Sequence, residues 1–423
     1  MHKIIPFHAT VFIVAMALPA AVNAETLPKP VAAEPVPVTI TPEVAEDAPK
    51  IERDNIIWSV ATGLGYDSNA YQAPRASYVD YSALPLGTNP TVIPQPKSGF
   101  FVPYELKADW AKNRNQGGRI IGSATADGNL YLGAGLGNAS EYNMGLHGGF
   151  EYILASEGKY EDTLYVGALI ENHKRTYVDH DSGLGKTTTL SGRDISGLYN
   201  HVSYGVEAKY KHNIGDIDYG LNGKYTLNDY ENPPGAPQQD HSYYTLGADT
   251  SIPVANKTSL NLSFDHSVRD YSNRRSRDAQ ALLTTSLLAY TYNTFGATLR
   301  SRLSPDWLVY LDFDHTLRAD NNVGYGDYQE SRYGARILYE QDRFKARLAL
   351  HHWGRDYPKG FAFDVAGQAA KTYSGNVLKL KAELKQTKDT ALWTELVYEA
   401  QSTTDLRYDY DRKQVMAGMS WAY

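Results

Sequence analysis

The sequence predicts an all-β protein: one transmembrane antiparallel β-barrel of about 16 strands, with 14 or 18 as the alternatives. Three observations lead there. From Asn55 onward apolar residues recur with period two, and no run approaches the ~20 residues of a membrane helix. The alternating segments run ~10–14 residues, nearer to the ~9–11 of membrane strands plus extensions than to the ~5–6 usual in soluble sheets. Short turns alternate with long loops, the asymmetry of barrels whose turns lie on one side of a membrane and whose loops lie on the other. A soluble sandwich shares only the first of these features.

The elements follow in chain order. MHKIIPFHATVFIVAMALPAAVNA has one early cation, Lys3, a short apolar run and a small-x-small end, so residues 1–24 read as a secretory signal cleaved before Glu25. Residues 25–53 carry six prolines and no apolar period, which makes them an extended leader. It has the composition of a spacer and could also tether a periplasmic contact. Residues 54–423 form the barrel.

Within it, SLNLSFDHS sets Leu260, Leu262 and Phe264 against Asn261, Ser263 and Asp265. WLVYLDFDH sets Trp307, Val309, Leu311 and Phe313 against a more polar face, and VLKLKAELK sets Leu378, Leu380 and Leu384 against Lys379, Lys381 and Lys385. The predicted strands are 56–66, 99–111, 118–131, 141–155, 161–175, 199–212, 217–230, 242–252, 258–272, 287–303, 307–319, 330–340, 343–355, 372–386, 390–401 and 410–423. Seven short turns and both ends of the barrel domain then share one side. Long loops, among them 67–98, 176–198, 273–286 and 356–371, lie on the other.

The 33 tyrosines suit a molecule with extensive oil–water boundaries. Trp58, Trp110, Trp307, Trp393 and Trp421 fall at the short-turn ends of their strands. Trp58, Trp110, Trp307 and Trp421 share parity with the oily face, as a membrane-interface girdle requires. Trp393 has the opposite parity.

The segment VMAGMSWAY alternates Val415, Ala417, Met419 and Trp421 before a final Tyr423. It resembles the C-terminal assembly signal of outer-membrane barrels, with Tyr where Phe is commoner. The resemblance implies recognition by the barrel-assembly machinery and residence in the outer-membrane lipid of a Gram-negative cell. GLGYDSNAYQAP (63–74) resembles the first strand and loop of barrels associated with exopolysaccharide export. That implies a polymer or oligosaccharide cargo and periplasmic export components as partners. Tyr66, Asp67, Ser68 and Asn69 also suit a chain turning out of a strand.

If the oily faces meet lipid, the others line a lumen. Arg269, Arg300, Arg302, Arg332, Arg336, Lys345, Arg347, Lys379, Lys381 and Lys385 share the inward parity, with Lys209, Lys211 and Lys224 from the first half. Glu207, Asp265, Asp312, Asp314, Glu383, Glu395 and Glu399 answer them. Two readings stand side by side. The bases brace a wide lumen through ion pairs, or they form a basic track that attracts anions. Guanidinium groups can do both. The mostly uncharged stretch SYVDYSALPLGTNPTVIPQP in the first loop suits an inward plug.

Several chemistries are excluded. No cysteine is present, which removes disulfides, thiolate metal sites and thiol catalysis. The formal charge of -7 and the lack of a basic block give no footprint for nucleic acid. DSGLGKTT lacks the first glycine of a phosphate loop, since His180 stands there. His351 and His352 are adjacent and face opposite ways on a strand, which argues against a shared metal. No G-x-S-x-G occurs, and His266, on the oily face, reads as an interfacial residue rather than part of a lipid hydrolase. The expectation is a porin-like channel for a hydrophilic, anionic solute such as a surface polysaccharide, with no cofactor and no enzymatic step. A plugged barrel serving as a surface scaffold is the alternative.

Overall fold

The computed structural model describes residues 55–83, 87–114, 117–157, 160–188 and 192–423. The predicted signal and leader lie outside the described residues. The strands are β1 (Asn55–Asp67), two two-residue strands in the first loop, β2 (Tyr78–Val79) and β3 (Thr91–Val92), then β4 (Gly99–Arg114), β5 (Gly118–Tyr131), β6 (Glu141–Glu157) and β7 (Tyr160–Arg175). The second half holds β8 (His201–Ile214), β9 (Ile217–Tyr230), β10 (His241–Ala255), β11 (Thr258–Arg277), β12 (Leu283–Arg302), β13 (Trp307–Asp320), β14 (Tyr328–Gln341), β15 (Phe344–Phe361), β16 (Ala370–Lys385), β17 (Thr390–Thr403) and β18 (Tyr410–Ala422).

β1 and β4–β18 form one closed antiparallel barrel, each strand paired with its chain neighbour and β18 returning to β1. The predicted strands all form. The main departure lies on the loop side. The predicted loop 273–286 is mostly strand and 356–371 is half strand, because β11 runs to Arg277, β12 begins at Leu283, β15 reaches Phe361 and β16 begins at Ala370. Their polar sequences hid this, since strand outside the bilayer needs no oily face. Register shifts between Asp270 and Arg275 and between Asp356 and Phe361 mark where these extensions leave the regular ladder.

Period-two patterning sets the faces. Leu106, Val166, Leu246, Leu311, Leu350, Leu380 and Leu396 all stand exposed on the outside. An apolar outer band on a closed cylinder leaves no unpaired strand edge, which is what a bilayer demands. The protein is a transmembrane β-barrel of the outer-membrane type. At the turn side, Trp58, Trp307 and Trp421 are exposed, and Trp58 stacks obliquely on Tyr423 at 5.9 Å. Trp307 meets Tyr339 at 4.8 Å, and Tyr339 meets Phe344. Trp110 lies across Gly122 of β5, whose missing side chain makes room for the indole. Tyr104 covers Gly128 in the same way. Small-residue β5 is therefore made oily by its neighbour's rings.

Trp393 lies on the lumen face, as its parity requires. Its ring rests on Gly418 of β18, and the Lys381 ammonium stands 5.8 Å from its centroid. At the predicted assembly signal, Val415 pairs across to Leu396 and Tyr66, and Met419 to Leu392 and Thr62. The Tyr423 and Trp58 backbones exchange hydrogen bonds of 2.8 and 2.9 Å.

Candidate functional site

Antiparallel register puts the predicted bases on the lumen face, in alternation with outward apolar residues. They are not one continuous track. Arg336 is held by Asp312 through two hydrogen bonds of 2.9 Å and lies under the Tyr310 ring. Arg332 donates to Glu330 at 2.5 Å, and Lys345 reaches Glu340 at 2.9 Å. Arg300 donates to the Tyr310 hydroxyl at 3.3 Å, and Arg302 caps the Pro305 carbonyl at the turn. Arg269 sits between the rings of Tyr243 and Tyr292, away from the others.

What the fold does bring together is a compact patch on β14–β16. Arg347 lies directly opposite Lys381. Ala349, one inward position along, lies opposite Lys379 on one side and Arg336 on the other. Four cations thus surround an alanine. Lys381 bonds Glu383 at 2.9 Å and faces Glu395 across β17. Lys379 has no ion-pair partner among the described residues. Like charges placed directly opposite on neighbouring strands are destabilising.

On another part of the wall the bases share carboxylates. On β6–β9, His147 bonds Glu171 at 3.1 Å and approaches Glu207 at 3.7 Å. Lys209 bonds Glu207 at 3.0 Å, and Lys224 lies 4.0 Å from Glu171. There the bases brace.

Toward the loop side an aromatic circuit lines the wall. His173 stacks on His201 at 4.7 Å, His201 on Tyr230 at 4.4 Å, and contacts continue through His241, Tyr271 and Tyr290. The Arg318 guanidinium lies between Tyr290 at 4.1 Å and Tyr328 at 4.3 Å, so a cation joins the rings. Tyr357, Tyr373 and Tyr408 extend the line. Tyr408, in the β17–β18 loop, then meets His180 of the β7–β8 loop at 5.9 Å.

That last contact belongs to a cap in which loops from separate parts of the barrel interlock. The predicted inward loop, 67–98, contributes Tyr78, which packs near Phe363 of the β15–β16 loop and donates to Asp181 at 2.7 Å. Arg407 grips Asp405 through two bonds of 2.8 and 2.7 Å and donates to Ser82. Asp405 also accepts from the Phe363 backbone N–H. His180 Nδ1 donates to the Tyr71 carbonyl at 2.6 Å. Burial pushes the His180 imidazole down to about 4, and the nearby cations Arg175 and Lys186 act in the same direction.

Sequence reasoning missed the network at the β1–β18 seam. Asp67, fully buried, accepts from Arg412 Nη2 at 2.6 Å and Nε at 2.8 Å, from Gln414 at 3.0 Å and from the Tyr131 hydroxyl. Asn69 bridges the Ala73 and Asp411 carbonyls, and Ser68 Oγ accepts from the Lys413 backbone N–H. The signal was present in the YDSN stretch, which does more than turn the chain. His266 faces outward and bonds Asn293 at 2.9 Å.

No protein-family model matches the chain, and no curated protein matches it. Among solved structures, it is similar to a loop-deletion form of OmpT, an outer membrane protein of Vibrio cholerae (TM-score 0.43, 10% identity, 87% of this chain and 99% of that chain). It is also similar to a bacterial polysaccharide outer membrane secretin (0.44, 9%, 88% and 99%). A third is an anion-selective porin from Comamonas acidovorans (0.42, 13%, 87% and 99%). At these scores and identities none carries an argument about what this chain does.

Proposed function

We propose that this porin-like barrel is a channel that passes, or helps to export, a hydrophilic anionic solute. The observation that carries the reading is the base-rich inward face of β14–β16, where Arg347 lies opposite Lys381 and Lys379 has no ion-pair partner among the described residues. Excess positive charge on a low-dielectric wall raises the local concentration of anions. Surface polysaccharide or oligosaccharide is the favoured solute class, supported by the resemblance of GLGYDSNAYQAP to export-associated barrels. Outer-membrane lipid, the barrel-assembly machinery and periplasmic export components are the partners in this reading, which includes no cofactor and no covalent step.

The test is the reversal potential of the refolded protein in a planar bilayer under a salt gradient. A potential favouring anions is expected. A cation preference overturns the reading of the wall. A folded barrel without conductance favours a second reading, a closed surface scaffold, and the interlocked cap is the observation that speaks for it.

A further inference from the structure

The outward face of β11–β16 carries a row of polar side chains on an otherwise oily surface. His266 Nδ1 donates to Asn293 Oδ1 at 2.9 Å, and His352 Nδ1 donates to Asn376 Oδ1 at 3.0 Å. Between them His315 Nδ1 meets Ser331 Oγ at 3.0 Å. Each pair joins two neighbouring strands, so the row crosses all six. Its depth follows from the sequence spacing. His315, Ser331 and His352 each lie eight residues from an aromatic of the turn-side girdle, respectively Trp307, Tyr339 and Phe344. Eight residues of strand rise ~27 Å, or ~20 Å across the membrane at a tilt of ~40°. An apolar band is ~25 Å tall, so the row sits at its loop-side edge. At the same step on β6 and β9 stand Met144, counted from Tyr152, and Leu227, counted from Tyr219, both exposed and apolar.

Polar groups that face lipid are costly unless something answers them. A neutral imidazole that donates through Nδ1 presents Nε2 as an acceptor, and an asparagine that accepts through Oδ1 keeps two N–H donors. A His–Asn pair thus offers acceptor and donor side by side, which adjacent sugar hydroxyls can match. An exposed ring adjoins each such pair: Tyr244 lies 6.5 Å from His266, and Tyr333 lies 6.5 Å from His352. These rings give the C–H face of a sugar an apolar surface. None of the six residues is lysine or arginine, so the row supplies no fixed cation for a bare phosphate. One step toward the turns, Phe264, Phe313, Leu350 and Leu378 continue the exposed apolar band that meets lipid.

We propose that the row formed by His266, Asn293, His315, Ser331, His352 and Asn376 holds the sugar head of a glycolipid in the loop-side leaflet, whose acyl chains lie on the apolar band beneath. The inference does not depend on what passes through the lumen.

The test places the refolded full-length barrel in amine-oxide detergent micelles with equal amounts of digalactosyl diacylglycerol and phosphatidylcholine of matched acyl chains. Native mass spectrometry counts the lipids that stay bound. The galactolipid is expected to be retained about fivefold over phosphatidylcholine or better, the factor that one net neutral hydrogen bond supplies. H266L/H315L/H352L is expected to remove the preference while the barrel keeps its heat-modifiable mobility on a gel, since leucine is an ordinary residue of the lipid face. N293L/N376L, which keeps the imidazoles and deletes the amide donors, is expected to remove most of it. Y204L/Y225L, outward on β8 and β9, is expected to leave it intact.

Equal retention of the two lipids by the wild-type barrel overturns the site. So does an equal loss in the histidine and tyrosine variants, which would reduce the effect to general interfacial polarity. An unchanged preference in N293L/N376L overturns the pairing of donor with acceptor. When phosphatidic acid replaces phosphatidylcholine, retention of the galactolipid in excess supports the sugar head, and retention of phosphatidic acid in excess overturns it in favour of a phosphate.

Discussion

The two ends of the lumen treat charge differently. Toward the loops, buried ions meet in pairs: Asp67 with Arg412, Asp405 with Arg407, Asp364 with Lys371 and Glu330 with Arg355. Toward the turns, Lys345, Lys381 and Lys385 are a third or more exposed, and their ion pairs, to Glu340 and Glu383, are exposed as well. A buried ion without a partner costs several kcal/mol, whereas a hydrated one costs little. Pairing at the outer end is therefore enforced by stability. The crowding at the inner end is permitted by water, and stability does not explain it. The outer end carries the architecture, and the inner end is free of that demand.

The contrast can be broken most forcefully at Asp67. Asp67→Asn removes the short ion pair of Arg412, leaving it only Glu399 at 3.9 Å, and should cost ~3 kcal/mol. The expected readout is a marked drop in the temperature at which the barrel loses its folded mobility on a gel; an unchanged temperature would mean that the outer pairs are ornamental. Arg407→Ala strands Asp405 at a similar scale but only within the cap. Proteolysis in 402–409 should accelerate while the melting of the barrel stays close to wild type.

A smaller effect comes from acid. His180 is held neutral with its pKa at about 4, below its ordinary value of 6.5. The unfolded loop therefore binds more protons between these values, and cap stability falls as pH drops from about 6.5 towards 4 and then levels off. Hydrogen exchange in 176–188 should quicken at pH ~4.5 relative to pH ~7, and H180Q should remove the imidazole's share of that change. The smallest effect on stability belongs to the inner end. Lys379→Gln should shift melting by no more than ~0.5 kcal/mol equivalent, yet lower anion preference in the reversal potential. A large loss of stability there would erase the distinction between the two ends.

Much of this was legible in period two alone. Leu260, Leu262 and Phe264, or Leu378, Leu380 and Leu384, fix strand and face together, because a lipid-facing surface tolerates few exceptions. Parity separates the inward bases and Trp393 from the exposed leucines of the same strands. What alternation could not show was which bases meet. Arg347 and Lys381 are 34 positions apart, and only the register of β15 on β16 makes them neighbours. Outside the bilayer the oily code lapses, so the extensions of β11, β12, β15 and β16 were hidden among polar residues. The cap was hidden for a related reason. Its packing joins Tyr78, His180, Phe363 and Arg407, residues from distant loops with no shared period.

The Asp67 network also acts as a proofreader of barrel closure. Slipping β18 along β1 by one residue turns its oily side chains inward and is rejected by the lipid. A slip of two keeps every face correct, so alternation is blind to it. In the native register Asp67 lies opposite Gln414. One such slip sets Met416 there and draws Arg412 ~7 Å away. The opposite slip separates Asn69 from the Asp411 carbonyl. Either error leaves buried polar groups unanswered, so this one knot rejects the misalignments that hydrophobicity would accept.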